Sequence, residues 1–375
     1  MTSTIELRRF NRNAVYRNLL GAGVKSKQEI AMRTGLSIPT VSQNLYSLTE
    51  DGLVAEIGIM KSTGGRPAAG FSCVADARYA IGIDITKNHI TIAVPNLNSE
   101  LLFQPNREQF RFKDTEGCLE EIATKVRQII QSHSIEEDKV LGVGISVPCI
   151  VDTQTNEITY SKIIDAPSNL AEKMGRMLPF PINVFNDANS AGIAEMNEND
   201  LGKTKGTMIY LMLSNSVGGA AISEGNIYLG DNSRSAEIGH VRIVPNGKPC
   251  YCGQKGCVNA YCSAEVLANL TDGKLEDFFA KLAGGDKACK KAFDEYLKYL
   301  SIAIVNLHML YDSDIIIGGY VGAYMDAYIE PLRQLVSEQD PYSDNALYLT
   351  PCAFKYEASA VGAAMRFIEG FIRKI

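Results

Sequence analysis

The 375-residue chain is 46% hydrophobic and 21% charged, the balance of a globular protein, and it is too long for one ordinary core. Its net charge of −6 hides an asymmetry, because up to Arg66 nine Lys or Arg face five acids, giving +4 there and −10 in the remainder. No apolar run approaches the ~18 residues that span a bilayer, and the start MTSTIELRRFNRN lacks the apolar centre of a secretory leader, so no membrane association and a cytoplasmic location are expected.

The basic front predicts a reader of nucleic acid. Phe10, Ala14, Val15, Leu19 and Leu20 fall at helical spacing, and Gly21 and Gly23 end that helix. Ser26 and Glu29 form a capping-box pattern for a second helix, Thr34-Gly35-Leu36 is a tight turn, and Ser37 caps a third helix with Pro39 in its first turn. Ile38, Val41, Leu45 and Leu48 make the third helix's apolar stripe, and its outer face centres on Gln43. Two short capped helices joined by a Gly turn are the helix-turn-helix pattern, with Thr40, Ser42 and Gln43 as candidate DNA contacts. A strand from Asp51 to Gly58, the turn KSTGGRP and a strand from Phe71 to Val74 add a wing, and Arg66 on its slim Gly-Gly backbone is the candidate minor-groove contact. Residues 1–75 are thus expected to form a winged helix-turn-helix domain that meets a double-stranded operator.

The body alternates strands and helices. Tyr79 to Thr86 is an apolar strand carrying Asp84, Ile90 to Val94 returns as a hairpin, Thr115 to His133 is an amphipathic helix, and 140–148 and 182–185 are buried strands, the second ending at Asn186-Asp187. Acidic residues at strand ends place chemistry where α/β sheets hold ligands.

At this point the chain resembles the ROK family of repressors, open reading frames and kinases. The resemblance rests on GGRP, IGIDI, GVGISVP, NDANSAGIAE at 186–195, EIGH at 237–240, CYCGQKGC at 250–257 and IIIGG at 315–319. It implies an α/β body with the actin-like, hexokinase-type two-lobed ATPase fold, here preceded by an α+β winged helix-turn-helix domain as in the family's repressor branch. The lobes are expected at 76–190 and 191–355. The last helix, Ala358 to Ile372, carries Ala360, Gly362, Ala363 and Ala364 and is expected to pack back on the first lobe as residues 356–375.

Cys250, Cys252 and Cys257 lie within eight residues, ten beyond His240. Three thiolates and one imidazole make a closed tetrahedral set suited to a structural Zn²⁺ with no place for reactive water. The resemblance names the same four residues as the family's zinc site. The other six cysteines read as reduced, mostly buried thiols.

By the same resemblance Asn186 and Asp187 grip a sugar, with Asp187 as general base wherever phosphoryl transfer is retained. Glu237 and His240 match two further hydroxyl contacts. The family's Glu two residues after the last zinc Cys is Asn259 here, and Cys149 stands where a Gly usually follows Pro148. The phosphate side departs further. Asp84 is followed by Thr86-Lys87 in place of two glycines, and the second phosphate hairpin reads Ser214-Asn215-Ser216-Val217-Gly218-Gly219-Ala220, keeping only Gly218 and Gly219. Gly318 and Gly319, an adenosine contact in the family, remain. Phosphate hairpins need glycine for close backbone approach, so Asp84, Gly218, Gly219, Gly318 and Gly319 read as a vestigial nucleotide site, and ATP with Mg²⁺ is not expected.

The function expected is a sugar-responsive transcriptional regulator, a repressor, working as a homodimer or higher oligomer on paired half-sites. The alternatives are an ATP-dependent sugar kinase using Asp187, and a repressor controlled by a partner such as a phosphotransferase-system protein.

Overall fold

The computed structural model describes residues 4–59, 69–198 and 206–375. The reader opens with α1 (Thr4–Arg17), β1 (Lys25–Ser26), α2 (Lys27–Thr34) and α3 (Ile38–Glu50), followed by β2 (Val54–Ile59) and β3 (Ala69–Cys73). Local chemistry sets these helices. Ser26 and Glu29 form the reciprocal capping box, Gly35 closes α2 in the left-handed conformation (φ 70), and the Ser37 hydroxyl accepts the Thr40 N–H. The strands form a small antiparallel sheet in the order β1-β3-β2. Val41, Leu45 and Leu48 are buried as expected, whereas Ile38 is half exposed and Phe10 is 70% exposed. Helix α1 starts earlier than its apolar pattern suggests, and Tyr16 takes the central packing place.

The body begins with β4 (Tyr79–Ile85), β5 (His89–Ala93), β6 (Arg107–Gln109), α4 (Glu116–Ser132) and β7 (Val140–Val147). A ribbon of β8 (Cys149–Asp152) and β9 (Glu157–Ser161), then α5 (Leu170–Gly175) and β10 (Ile182–Asn186), complete the first lobe's sheet elements, and α6 (Asp187–Glu198) leads across. The second lobe carries β11 (Thr207–Leu213), β12 (Val217–Ser223) and β13 (Asn226–Ile227). Helices α7 (Asn259–Cys262), α8 (Ala264–Ala268), α9 (Leu275–Ala283) and α10 (Lys287–Tyr311) follow, then β14 (Asp314–Gly318), α11 (Gly319–Gly322), α12 (Ile329–Ser337) and β15 (Leu349–Pro351). Helix α13 (Ala358–Ile372) ends the body.

The two large sheets share one plan. The first runs β10-β7-β4-β5-β6 and the second β15-β14-β11-β12-β13, each with three parallel strands extended by an antiparallel pair. Such a duplicated sheet places both sets of parallel-strand ends at one cleft, where open α/β sheets hold ligands.

Helix α13 returns to the first sheet because its small residues allow it. A side chain at Gly82 would strike the Ala360 carbonyl at 1.8 Å, and one at Gly362 would strike the Ser190 carbonyl at 1.7 Å. Its far end goes further than expected. Ala364, Ile368 and Ile372 share one buried cluster with Val15, Tyr16, Leu45 and Leu48 of the reader. The Arg17–Glu369 ion pair at 3.1 Å and a hydrogen bond from Asn13 to the Ile372 carbonyl edge that contact.

Candidate functional site

The cleft is built on the junction between β10 and α6. Asn186 caps the helix, accepting the Asn189 N–H on Oδ1 at 3.0 Å, while its Nδ2 donates to the Cys149 carbonyl at 3.0 Å and to Asp187 Oδ1 at 3.2 Å. Asp187 Oδ1 also takes the Ala188 N–H at 2.9 Å. Asp187 therefore stands at the positive end of a twelve-residue helix, fixed on one oxygen.

Burial and the nearby Asp84 carboxylate push the Asp187 carboxyl up to about 8. Asp84 is held by Ser146 Oγ at 2.9 Å and is itself pushed up to about 7 by burial. Two buried carboxyls facing one cleft cannot both ionise cheaply.

Opposite them lies Glu237, aimed by a tight turn. Ala236 sits in the left-handed region (φ 57), and its carbonyl accepts the Ile238 N–H at 2.7 Å. Such strain, of order 1 kcal/mol, is tolerated where it orients a working side chain. Glu237, His240, Asn186 and Asp187 all line one cavity, together with Ser216, Gly218, Gly219 and Tyr251.

Asn259 behaves differently from the expectation. It is buried behind β12, its Oδ1 accepts the Val217 N–H at 2.8 Å, and it is not part of the cavity wall. The amide supports the hairpin from behind.

His240, Cys250, Cys252 and Cys257 converge, all four ligand atoms lying within 4.8 Å of one another. The Cys252 and Cys257 sulfurs are 3.8 Å apart, and Cys250 Sγ is 3.8 Å from His240 Nδ1. Tetrahedral bonds of ~2.3 Å give an edge of about 3.8 Å, so these residues fit a small tetrahedral ion. With Nδ1 turned to the thiols, His240 Nε2 faces outward to the Tyr251 hydroxyl at 3.3 Å. One imidazole thus belongs both to the Cys/His cluster and to the cavity wall.

A second cavity adjoins the first and shares Asp187, Pro148, Met212 and Ser216 with it. Asp84, Thr86, Lys87, Ser214, Gly319, Tyr320 and Tyr356 line it as well. Thr86 folds its own turn, donating its N–H to the His89 carbonyl and accepting the His89 N–H on Oγ1 at 3.1 Å. The retained glycines have packing reasons. A side chain at Gly318 would meet the Tyr210 hydroxyl at 2.1 Å, one at Gly319 would meet Ser214 Oγ at 2.7 Å, and one at Gly219 would meet Ile238 at 2.3 Å. Gly218 is the loosest, with Ala188 at 3.2 Å.

Sequence reasoning missed a contact made by two of the tyrosines that line this second cavity. Arg107, on the edge strand of the first lobe, lays its guanidinium 4.3 Å from the Tyr320 ring centre and 4.9 Å from that of Tyr356. Its side chain also meets His89 Nδ1 at 3.1 Å.

On the reader, Gln43 is exposed and Ser42 half exposed, while the Thr40 hydroxyl is engaged with Ser37 Oγ at 2.8 Å. Tyr46, 69% exposed one turn beyond Gln43, extends the same face. Arg66 lies outside the described residues.

A profile of the ROK family matches residues 80–369. The chain belongs to the ROK family. Among curated proteins, the xylose repressor of Bacillus spizizenii is 24% identical over 98% of this chain and 97% of its own. The DNA-binding transcriptional repressor Mlc of Escherichia coli is 24% identical over 76% of this chain and 72% of its own. A crystal structure of a ROK family transcriptional regulator, a homologue of the E. coli Mlc protein, superposes with a TM-score of 0.76 at 20% identity, covering 98% of this chain and 97% of that one. The last comparison shows the fold of the N-terminal unit and the body together. No helix among the described residues of this ROK chain is long and apolar enough to cross a membrane.

Proposed function

We propose that this ROK protein is a sugar-responsive transcriptional repressor that binds a DNA operator through α3 and its wing and senses a saccharide between its lobes. One observation carries the reading: α13 runs from the backbone of Asp187 into the core of the reader. At its start the Ser359 hydroxyl donates to the Asp187 carbonyl at 3.1 Å, and at its end Ile368 and Ile372 are buried among Val15, Leu45 and Leu48. A ligand that favours one lobe arrangement is thereby linked to the placement of the reading helix. The full-length match to a xylose repressor supports the same assignment.

In this reading Asn186, Asp187, Glu237 and His240 hold the sugar hydroxyls, and Asn259 supports the wall that completes the cavity. Zn²⁺ is the ion that a Cys₃His set favours, and its role is to fix the loop carrying Tyr251 and His240 beside Glu237. The chain acts as a dimer, since one short helix reads few base pairs. Its nucleotide side is vestigial, because Thr86 and Ser214 occupy phosphate-loop positions and the surviving Gly318 and Gly319 are needed by Tyr210 and Ser214.

Fluorescence anisotropy of the protein on DNA from its own upstream region, titrated with a panel of neutral sugars, tests this. One sugar is expected to change operator affinity by roughly 5- to 150-fold, the usual span of allosteric coupling. That change should vanish in Asp187→Ala and Glu237→Ala. A protein that binds its operator yet ignores every sugar until cell extract is added is instead controlled by a protein partner. Metal analysis should find one zinc per chain, and its removal by chelation should lower both the melting temperature and sugar affinity.

A further inference from the structure

The cavity lined by Asp187 does not end at His240. Outward from that histidine its walls are Tyr251, on the loop that carries the thiols, and Tyr160, on the β8–β9 ribbon of the other lobe. Both rings are half open to solvent, Tyr160 at 49% and Tyr251 at 43% exposure. Lys162, next along the ribbon, donates to the Tyr251 carbonyl at 2.9 Å and ties the two walls together across the mouth. Ser233 and Ser235 line the same cavity.

The deep end and the mouth have different chemistry. Asn186, Asp187, Glu237 and His240 are enough polar groups to satisfy the hydroxyls of one pyranose. The mouth offers aromatic faces with a few hydroxyls beside them, which suits a ring having one face of C–H groups and an edge of hydroxyls. Aromatic side chains with an apolar body and a polar tip serve well in such half-wet places. Charge narrows the class further. Lys162 is the one ammonium among the residues that line the cavity, and it is already bonded to a carbonyl. An acidic extension gains little there.

We propose that the mouth is a second subsite, formed by Tyr160 and Tyr251, and that the ligand is a neutral disaccharide or glycoside whose first ring occupies the Asp187 end. The proposal rests on the sugar-sensing reading above and specifies its ligand. Tyr251 reaches both parts, its hydroxyl on His240 Nε2 and its ring on the second unit, so the metal-ligand loop positions inner and outer rings together.

Calorimetric titration of the full-length, metal-loaded protein tests this with glucose, xylose and N-acetylglucosamine against maltose, cellobiose, xylobiose and chitobiose. At least one disaccharide should bind about tenfold more tightly than its own monosaccharide, the order expected of one added aromatic stacking contact. In Tyr160→Ala that affinity ratio should collapse toward one, and in Tyr160→Phe it should persist, since the ring face and not the hydroxyl carries the contact. Unchanged melting temperature and metal content in both variants exclude a folding defect. A monosaccharide that binds as tightly as its dimer, or a ratio unaltered in Tyr160→Ala, overturns the second subsite and leaves the sugar-sensing reading standing. Failure of every saccharide, single or paired, removes that reading and the subsite with it.

Discussion

Asp84 and Asp187 are the residues whose protonation the fold alters most usefully. An unfolded aspartate ionises near pH 3.9, whereas in the native protein these two hold protons to about 7 and about 8. Between those limits the native state binds more protons than the unfolded chain, so stability falls as pH rises from about 4 to about 8. Calorimetric melting of the ligand-free protein across this range should show the decline, and Asp187→Asn should flatten its upper part. Above pH 8, where the carboxyl is ionised, the same substitution removes a charged acceptor from the cavity and should weaken sugar binding by roughly 10- to 100-fold, the worth of a hydrogen bond to a charged group. Gly319 supplies a separate test of the nucleotide side. Its φ of 77 and the Ser214 hydroxyl leave no room for a side chain. Gly319→Ala should therefore destabilise the protein by about 1–3 kcal/mol in denaturant titrations without any nucleotide present. A glycine kept only for adenosine would show no such cost.

Helix α13 joins the cleft to the core of the N-terminal unit, and its sequence disclosed only half of that. Ala360, Gly362, Ala363 and Ala364 announce close packing, because small side chains at helical spacing have no other economical use. The second half, Ile368 and Ile372, looks like any apolar stripe, and nothing local says that its partners are Val15 and Leu45. The contrast recurs elsewhere. Helices α2 and α3 were legible because Ser26, Glu29, Gly35 and Ser37 act on neighbours in sequence, and the metal-ligand cluster because its spacing is itself the geometry. The bond from the Val217 N–H to Asn259 was not legible, because it is a tertiary contact that position alone does not reveal. The duplicated sheet plan escaped notice because hydrogen-bond topology repeats without any repeat in side chains. From α13 a direct test follows. Ile372→Ala opens a gap in the shared core, where such truncations cost about 2–5 kcal/mol. Sugar affinity measured by calorimetry should remain close to that of the unaltered protein, while the sugar-dependent change in operator affinity should fall severalfold.

Among the described residues, Lys162 and Arg107 each reach from the first lobe to the second. Lys162 meets the Tyr251 carbonyl at the mouth of the sugar cavity, and Arg107 lies against Tyr320 and Tyr356 over the neighbouring cavity. The second bridge matters more for the balance between open and closed lobes. Arg107 ties the edge strand of the first sheet to Tyr320 and Tyr356, two residues that line the second cavity. A cation held over an aromatic ring contributes about 0.5–2 kcal/mol depending on solvent exposure, so two such contacts rival the free energy that separates functional states. Arg107 also opposes the rise of the Asp84 carboxyl, which couples closure to the charge of the cleft. Arg107→Ala should shift the ligand-free protein toward open lobes, read as a larger radius of gyration in small-angle scattering. Apparent sugar affinity should fall in proportion to the lost closed fraction, because a ligand that needs the closed form binds only that fraction. Arg107→Lys keeps the charge and loses the planar stacking face, so it should fall between the two. Saturating sugar should return all three proteins to the same compact dimensions, since the ligand then supplies the closure that the arginine no longer does.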